Sequence, residues 1–236
     1  MEKINVQVYS LVSEQMTPAE KLQTIAKLGY TGAEFTLDFT QVPIEEMKKI
    51  IAETGLEVPS AHVALDKIEE VLPYFAELGT KYVICPMTDF ANKEEAKEVA
   101  EELNRLGHIA KQYGIKVGYH NHAHEFETMD GKYILDLIAE GTSEDVILEI
   151  DVFWVLYAGV DPYKYIEKWG KRVELVHLKQ IAADKKTDTI LEDGIIDMKK
   201  IVDSAKFATH LVVEQEGDVD EVDASKKNIE FLRKIF

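Results

Sequence analysis

Residues 110–122 read AKQYGIKVGYHNH, and this stretch shows the unit from which the rest of the chain is built. An amphipathic run ends at Gly114, and an apolar, β-branched run follows it at once. Glycine adopts left-handed backbone angles without a Cβ penalty, so it is expected just after the last turn of a helix. The stretch therefore predicts a helix, a tight turn and a strand that ends in histidines.

The same unit recurs along the chain, so that six helices are expected to end on a left-handed glycine. These glycines are Gly29, Gly55, Gly79, Gly114, Gly141 and Gly170. Helix starts are also marked. Thr17-Pro18-Ala19-Glu20 combines an N-cap, a first-turn proline and the glutamate of a capping box, and Asp161-Pro162 repeats the cap with its proline.

Eight strands are predicted among these helices, near residues 4–10, 31–35, 57–62, 81–86, 115–122, 146–151, 173–179 and 210–216. Eight strands alternating with about eight helices are typical of a (β/α)8 TIM barrel of the α/β class. A doubly wound open sheet is the alternative, but it normally has a glycine-rich turn after its first strand, and residues 6–18 contain no glycine. No linker divides the chain, so we expect a single TIM barrel domain over residues 1–236.

The overall charge limits the partners of the protein. Lys and Arg number 27 against 44 Asp and Glu, which gives a net charge of −17. A surface this acidic disfavours nucleic acid and anionic membranes, and no apolar run is long enough to cross a bilayer. The single cysteine, Cys85, excludes a disulfide framework, and the amino terminus lacks the pattern of a secretory signal peptide. These features predict a soluble, cytoplasmic protein and leave its oligomeric state open, a homo-oligomer included.

Ionisable residues stand at the predicted carboxyl ends of six strands, where a TIM barrel builds its active site. They are Glu34, His62, His120, His122, Glu149, Asp151, His177, Lys179, Glu214 and Glu216. Carboxylates and neutral imidazoles that converge in one pocket form a mixed site for one divalent ion, Mn²⁺, Mg²⁺, Co²⁺ or Zn²⁺. Asp151, His177 and Glu214 come from three consecutive strands at matching depth, which favours a shared site over three separate structural roles.

Several of these residues have ordinary structural alternatives. A lone histidine such as His62 is more often structural than a ligand, and Glu34 and Lys179 could each belong to an ion pair. Trp154 could pack in the core or form an apolar wall for a sugar ring. In the functional interpretation, the residues expected to contact substrate are Glu34, His62, His120, Trp154 and Glu216.

Five segments resemble the xylose isomerase-like TIM barrels, specifically the sugar phosphate isomerase/epimerase group. They are GYHNHAHEF (118–126), LEIDVFWVLYAGVDP (148–162), VHLKQ (176–180), LEDGIID (191–197) and VVEQE (212–216). The resemblance implies a divalent cation bound by Asp151, His177, Glu214 and a residue of strand five. Where epimerases of this family have a glutamate on strand five, this chain has His120, Asn121 and His122, with Glu125 just beyond. His122 and Glu125 are therefore the candidates for the fourth ligand. Two further departures are Gln180 in place of an aspartate and Glu192 in place of a glycine.

The function expected from this site is isomerisation or epimerisation of a small sugar or polyol derivative, by metal-assisted proton transfer next to a carbonyl. Glu214 would be both ligand and proton shuttle, with Glu149 or His122 opposite it, and Lys179 would stabilise a substrate oxyanion. A dehydratase or lyase acting on a keto-sugar or keto-inositol is the first alternative, because it begins with the same enediolate. A non-catalytic binding protein on a degenerate barrel is the second, while the net charge argues against the endonuclease branch of this fold.

Overall fold

Eight parallel strands close into a barrel in the computed structural model, which describes residues 3–12, 16–217 and 219–236. Their spatial order around the barrel is β1-β8-β7-β6-β5-β4-β3-β2, and β2 closes the ring by pairing with β1. The strands are β1 (Ile4–Gln7), β2 (Gly32–Thr36), β3 (Ser60–His62), β4 (Tyr82–Cys85), β5 (Lys116–His120), β6 (Ile147–Asp151), β7 (Val173–Leu178) and β8 (His210–Val213). The predicted TIM barrel and its eight strands are confirmed.

Nine α-helices occur in the part of the chain that the structure describes, and two of them follow β6 in succession. They are α1 (Pro18–Leu28), α2 (Ile44–Thr54), α3 (Ile68–Glu77), α4 (Lys93–Ala110), α5 (Ile134–Gly141), α6 (Val152–Tyr157), α7 (Pro162–Trp169), α8 (Met198–Ser204) and α9 (Glu221–Ile235). Two small antiparallel ribbons, 128–129 with 132–133 and 180–181 with 188–189, lie outside the barrel sheet. Among the described residues, no helix has the length and apolarity needed to cross a membrane.

The predicted helix caps are largely present. Thr17 and Glu20 form the reciprocal capping box at the start of α1, and the Asp161 carboxylate accepts a hydrogen bond from the Lys164 backbone N–H. Five of the six glycines have positive φ; they are Gly29, Gly55, Gly79, Gly114 and Gly170. The prediction for Gly141 is wrong: it is the last residue of α5, and a Cβ there would lie 3.0 Å from the Ala100 Cβ. Glycine at that position lets α4 and α5 approach closely.

The inner face of the barrel changes from apolar to ionisable along the strands. Tyr82, Ile84, Ile147 and Leu175 form a small apolar cluster that is separate from the main core between strands and helices. Two residues further along β6 and β7, on the same faces as Ile147 and Leu175, stand Glu149 and His177, because side chains alternate with a period of two. The fold thus places ionisable groups on top of an apolar floor, towards the carboxyl ends of the strands.

Several strands are shorter than the sequence predicts. Strand β5 ends at His120, β7 at Leu178 and β8 at Val213, so His122, Lys179 and Glu214 lie in the connections that follow. Beyond the barrel rim, side chains replace the strand ladder as hydrogen-bond partners. The His122 backbone N–H, for example, donates to the Glu125 carboxylate at 2.8 Å.

Candidate active site

Four side chains from the ends of β5, β6, β7 and β8 converge at the top of the barrel. Each of His120, Asp151, His177 and Glu214 offers one ligand atom, and these atoms all lie within 4.8 Å of one another. All four residues are buried. We call this set the outer group. It contains the three residues that the family resemblance implies as metal ligands, together with His120 from β5.

Asp151 is held so that one of its oxygens is left without a partner. Its Oδ1 accepts hydrogen bonds from the backbone N–H groups of Phe153 and Trp154, at 2.8 and 3.2 Å, and so caps α6. Its Oδ2 is buried and has no hydrogen-bond partner among the described residues. Burial raises the pKa of Asp151 to about 7, although the charge of Lys179 opposes this rise. An unpaired buried carboxylate oxygen is costly, which suggests that a ligand completes it.

His177 lies between two carboxylates. Its Nδ1 is 3.0 Å from Glu214 Oε2, and its Nε2 is 2.8 Å from Glu34 Oε1. Burial would lower the pKa of His177, but the charges of Glu149 and Glu34 outweigh it and raise the pKa well above its usual value. The surroundings of this imidazole therefore favour a positive charge, whether a proton or a cation carries it.

Lys179 brings a second positive charge to the same place. Its ammonium lies 2.5 Å from Glu216 Oε2, 3.8 Å from Glu214 Oε2 and 5.2 Å from the centre of the Trp154 ring, and the side chain is fully buried. Burial alone would lower the pKa of Lys179, but Glu214 and Asp151 raise it, so the ammonium form persists. Burial would likewise raise the pKa of Glu214, but Lys179 and His177 hold it well below its usual range. Glu214 is therefore ionised.

A further set of ionisable side chains lies deeper in the barrel. Glu149 Oε2 is 2.6 Å from His62 Nε2 and 3.2 Å from His120 Nδ1. Although burial opposes it, the charges of His177 and His62 keep the pKa of Glu149 well below its usual value. Glu149 is completely buried. The side chain proposed as a proton-transfer group opposite Glu214 thus lies below the outer group.

Glu34 is fixed by residues that sequence analysis did not single out. Gln7 Nε2 donates to Glu34 Oε1 at 2.7 Å, and the Ser60 hydroxyl donates to Oε2 at 2.5 Å. Asn121 has a similar role beside Asp151: its Oδ1 accepts from the Asp151 N–H at 3.1 Å, and its Nδ2 donates to the Asp151 carbonyl at 3.3 Å. The available signal for Gln7 was its place at the end of the first strand, and for Ser60 it was the two-residue spacing from His62 on the same strand.

The two candidates for the strand-five ligand are not among the four residues of the outer group, although the His122 ring centre lies 5.1 Å from that of His120. The Glu125 carboxylate accepts hydrogen bonds from the Tyr119 hydroxyl, at 2.7 Å, and from the His122 N–H, and so ties the connection after β5 to its strand. The His122 ring packs against Trp154, with ring centres 5.4 Å apart. Burial lowers the pKa of His122 to about 4, so its imidazole is neutral. His122 Nδ1 and Trp154 Nε1 are both buried without a hydrogen-bond partner.

A cavity of about 560 Å³ opens above these side chains. Its walls include His62, His120, His122, Glu214 and Glu216, together with the more apolar Tyr9 and Leu37. This volume lies within the range of small-molecule sites. Since the cavity lies at the carboxyl ends of the strands, it is the candidate active site of the barrel.

The outer group fits a divalent cation. Carboxylate and imidazole ligands suit Mn²⁺, Co²⁺, Mg²⁺ or Zn²⁺. Within the described part of the chain, no hydrogen-bond donor is bonded to Asp151 Oδ2, so none would compete with a cation for this oxygen. The carboxylate of Glu34 beside His177 Nε2 matches the usual partner of a ligating histidine, which orients the ring and fixes its tautomer.

Gln180, which stands where the family has an aspartate, has a structural role. Its amide accepts from the N–H groups of Ile181 and Ile196 and donates to the carbonyls of Leu191 and Ile196. A Cβ at Gly194 would lie 2.1 Å from Gln180 Cγ, so the turn at residues 191–196 closes tightly around this amide. The substitution therefore shapes the loop beside the site.

The sequence and the fold both resemble known carbohydrate enzymes. The chain is 32% identical over 222 residues to an inosose dehydratase of Clostridium beijerinckii, which covers 84% of this chain and 73% of that protein. It is also 32% identical over 255 residues to an inosose dehydratase of Clostridium perfringens, with 88% and 85% covered. A sugar phosphate isomerase/epimerase from Parabacteroides distasonis superposes with a TM-score of 0.83 at 27% identity, over 98% of this chain and 93% of that one.

Residues 22–235 match the family model described as the xylose isomerase-like TIM barrel, which is most of the chain. The match agrees with the closed eight-stranded barrel. The chain therefore belongs to the xylose isomerase-like TIM barrel family.

Proposed function

We propose that the protein is a cation-dependent dehydratase that removes water from a keto-inositol or a related keto-sugar. The observation that carries this proposal is the outer group itself, in which Asp151, His177 and Glu214 converge below a cavity beside the buried ammonium of Lys179. The relatives named inosose dehydratase support the same reaction class. Epimerisation begins with the same proton abstraction and is the second candidate.

The cation would be held by Asp151 Oδ2, His177 Nδ1 and Glu214. When bound, it would polarise the substrate carbonyl and so acidify the neighbouring C–H bond. His177 would offer Nδ1 in the tautomer whose Nε2–H donates to Glu34, and Glu34 is in turn held by Gln7 and Ser60. Glu34 and Asn121 are thus positioning residues, since one orients His177 and the other fixes the backbone of Asp151.

The proton is moved by Glu214 in this proposal. Glu214 is ionised and lines the cavity, so its carboxylate can accept the proton next to the carbonyl. The same carboxylate then returns this proton to the departing hydroxyl, which leaves as water. Lys179 keeps its positive charge beside Glu214 and would stabilise the oxygen on which negative charge develops.

The remaining contacts favour an uncharged polyol. Asp38, Glu214 and Glu216 are among the residues that line the cavity, and Lys179 is already paired with Glu216. A phosphorylated substrate would meet these carboxylates without a free cationic partner among the lining residues that the structure describes. The unpaired Nδ1 of His122 and Nε1–H of Trp154 would instead bond to substrate hydroxyls.

Epimerisation is favoured by a different observation, the sugar phosphate isomerase/epimerase with 27% identity. It would require a second proton-transfer group on the opposite side of the substrate, for which the neutral imidazole of His122 is available. The two reactions differ in the mass of the product, because dehydration removes one water and epimerisation removes nothing.

The test is to incubate Mn²⁺-loaded protein with inosose and to follow the mass and the stereochemistry of the product. Loss of one water supports the dehydratase, and an isomer of unchanged mass supports the epimerase instead. Glu214→Gln should abolish either reaction, whereas Glu127→Gln, a change at a residue outside the outer group, should not. If no keto-inositol or keto-sugar is converted, the result favours a binding protein. That role predicts a similar affinity for these compounds in wild type and Glu214→Gln.

A further inference from the structure

A second set of donor atoms lies one layer below the outer group, inside the barrel. Glu149 Oε2 is 2.6 Å from His62 Nε2 and 3.2 Å from His120 Nδ1. The ligand atoms of His62, His120 and Glu149, together with one of His177, lie within 4.8 Å of one another. We call His62, His120 and Glu149 the inner group. The dehydration proposed above uses none of these three side chains.

Two atoms of the inner group make no well-aligned hydrogen bond within the described part of the chain, although one of them lies 3.2 Å from Glu149 Oε2. They are His120 Nδ1 and Glu149 Oε1, and both are buried. The residues themselves are 1% and 0% exposed. Buried polar atoms are nearly always paired, because leaving one unpaired costs about 1–3 kcal/mol. Two unpaired atoms at one place, both from residues that commonly bind metals, indicate that a ligand belongs there.

We propose that the inner group binds a second divalent cation, with zinc preferred, through His62 Nε2, His120 Nδ1 and Glu149. Imidazole nitrogens together with one carboxylate are a ligand set that zinc commonly takes. Zinc bonds of about 2.0–2.2 Å in a tetrahedron separate the donor atoms by roughly 3.3–3.5 Å. The 3.2 Å separation of His120 Nδ1 and Glu149 Oε2 is just below this range, and His62 Nε2 would have to move less than about 1 Å away from Glu149 Oε2.

The charge of this region also suits a cation. Glu149 and Glu34 are both fully buried, and Glu34 Oε1 lies 3.2 Å from His62 Nε2. Two carboxylates buried this close together require compensating positive charge. A divalent ion supplies both charges at once. The side chain of His62 lines the cavity and is 11% exposed, which gives an ion a route from solvent.

The inner and outer positions need not compete for histidines. A neutral imidazole has one lone pair and can therefore serve only one of them. His120 Nδ1 faces Glu149 of the inner group, whereas His177 Nδ1 faces Glu214 of the outer group and its Nε2 is engaged by Glu34. The inner position thus takes His120, and the outer position takes His177. The inner site does not rest on the proposed dehydratase activity.

The test is the zinc content of the full chain after saturation with Zn²⁺ and exhaustive dialysis, measured by elemental analysis. Wild type should retain two equivalents, and His62→Gln and Glu149→Gln should each retain one. Asp151→Asn should also retain one, because it damages only the outer position. A wild type that retains one equivalent or less, or a His62→Gln variant that still retains two, would overturn the proposal.

Absorption of Co²⁺-substituted protein identifies the position that each variant loses. A four-coordinate Co²⁺ ion with two imidazole ligands and a carboxylate absorbs strongly in the visible range, so Asp151→Asn should keep this band and His62→Gln should lose most of it. The reverse pattern would contradict the inner site. If Glu149→Gln fails to fold, as judged by circular dichroism, His62→Gln decides alone, since His62 lies at the cavity wall and tolerates polar replacement more readily.

Discussion

Asp151→Asn is expected to change the stability of the protein in opposite directions with and without metal. In the metal-free protein, burial raises the pKa of Asp151 from 3.8 to about 7. At pH 8 this rise corresponds to roughly 4 kcal/mol of unfavourable free energy for keeping the carboxylate ionised in the folded state. Asparagine removes that charge and retains an amide oxygen that can cap α6.

The gain in stability of the metal-free Asp151→Asn variant is reduced, because the NH₂ group of asparagine takes the place of the unpaired Oδ2 and needs hydrogen-bond acceptors of its own. If an unpaired amide costs roughly 1–3 kcal/mol, the net gain is about 2 kcal/mol, or a Tm higher by roughly 4–8 °C. With Mn²⁺ at about 100 times its Kd, wild type should gain about 2.7 kcal/mol and overtake the variant, whose Mn²⁺ affinity is lost.

The assay is thermal unfolding at pH 8 in EDTA and in Mn²⁺. Asp161→Asn is the matched control, since Asp161 also caps a helix through its carboxylate but is exposed and distant from the outer group. The control should behave like wild type in both conditions, apart from a small loss of capping. An Asp151→Asn variant that is less stable than wild type in EDTA, or that gains as much stability from Mn²⁺, would refute the reasoning.

Three further outcomes are expected. Metal-free wild type should lose stability as the pH rises from about 4 to 7, because folded Asp151 retains its proton up to a pKa of about 7 while the unfolded state releases it near 3.9. Urea unfolding of wild type and Asp151→Asn measures this loss, and an equal change of unfolding free energy with pH in the two proteins would contradict it. Lys179→Met should reduce kcat at least about 100-fold while Mn²⁺ content is kept, since one oxyanion donor is worth roughly that factor; loss of Mn²⁺ instead would make Lys179 structural. Gly194→Ala should lower Tm, because its Cβ would overlap Gln180. Gly107 lies inside α4, and a Cβ there would come no closer than 3.5 Å to Val146, so Gly107→Ala should instead raise stability by roughly 0.5–1 kcal/mol.

The barrel could be predicted from sequence because its signals are local and repeated. A glycine after each amphipathic run and a β-branched run after each glycine are enough to count βα units, and caps such as Thr17 with Glu20 fix helix starts. Gly141 shows the limit of this reasoning. Its role is a close approach between two helices far apart in sequence, which no local pattern reveals.

The candidate site was predictable only in part. The alternation of residues along a strand shows which face a side chain is on, but not how deep in the barrel it lies. Glu149 and Asp151 share the inner face of β6, yet a step of two residues, about 6.6 Å, separates the inner group from the outer group. The end of β5 was harder still to predict from the sequence. Glu125 reaches back to the Tyr119 hydroxyl, a contact that the sequence did not reveal. The sequence therefore did not show that His120, rather than His122 or Glu125, belongs to the outer group.

The most direct test of the account is a crystal of the full chain soaked in Mn²⁺ and measured at an X-ray energy where manganese scatters anomalously. We expect one strong anomalous peak within bonding distance of Asp151 Oδ2, His177 Nδ1 and Glu214, facing the cavity. A fully soaked crystal with no peak at this place, or with manganese bound only elsewhere on the protein, would contradict the central claim that the outer group is a catalytic metal centre.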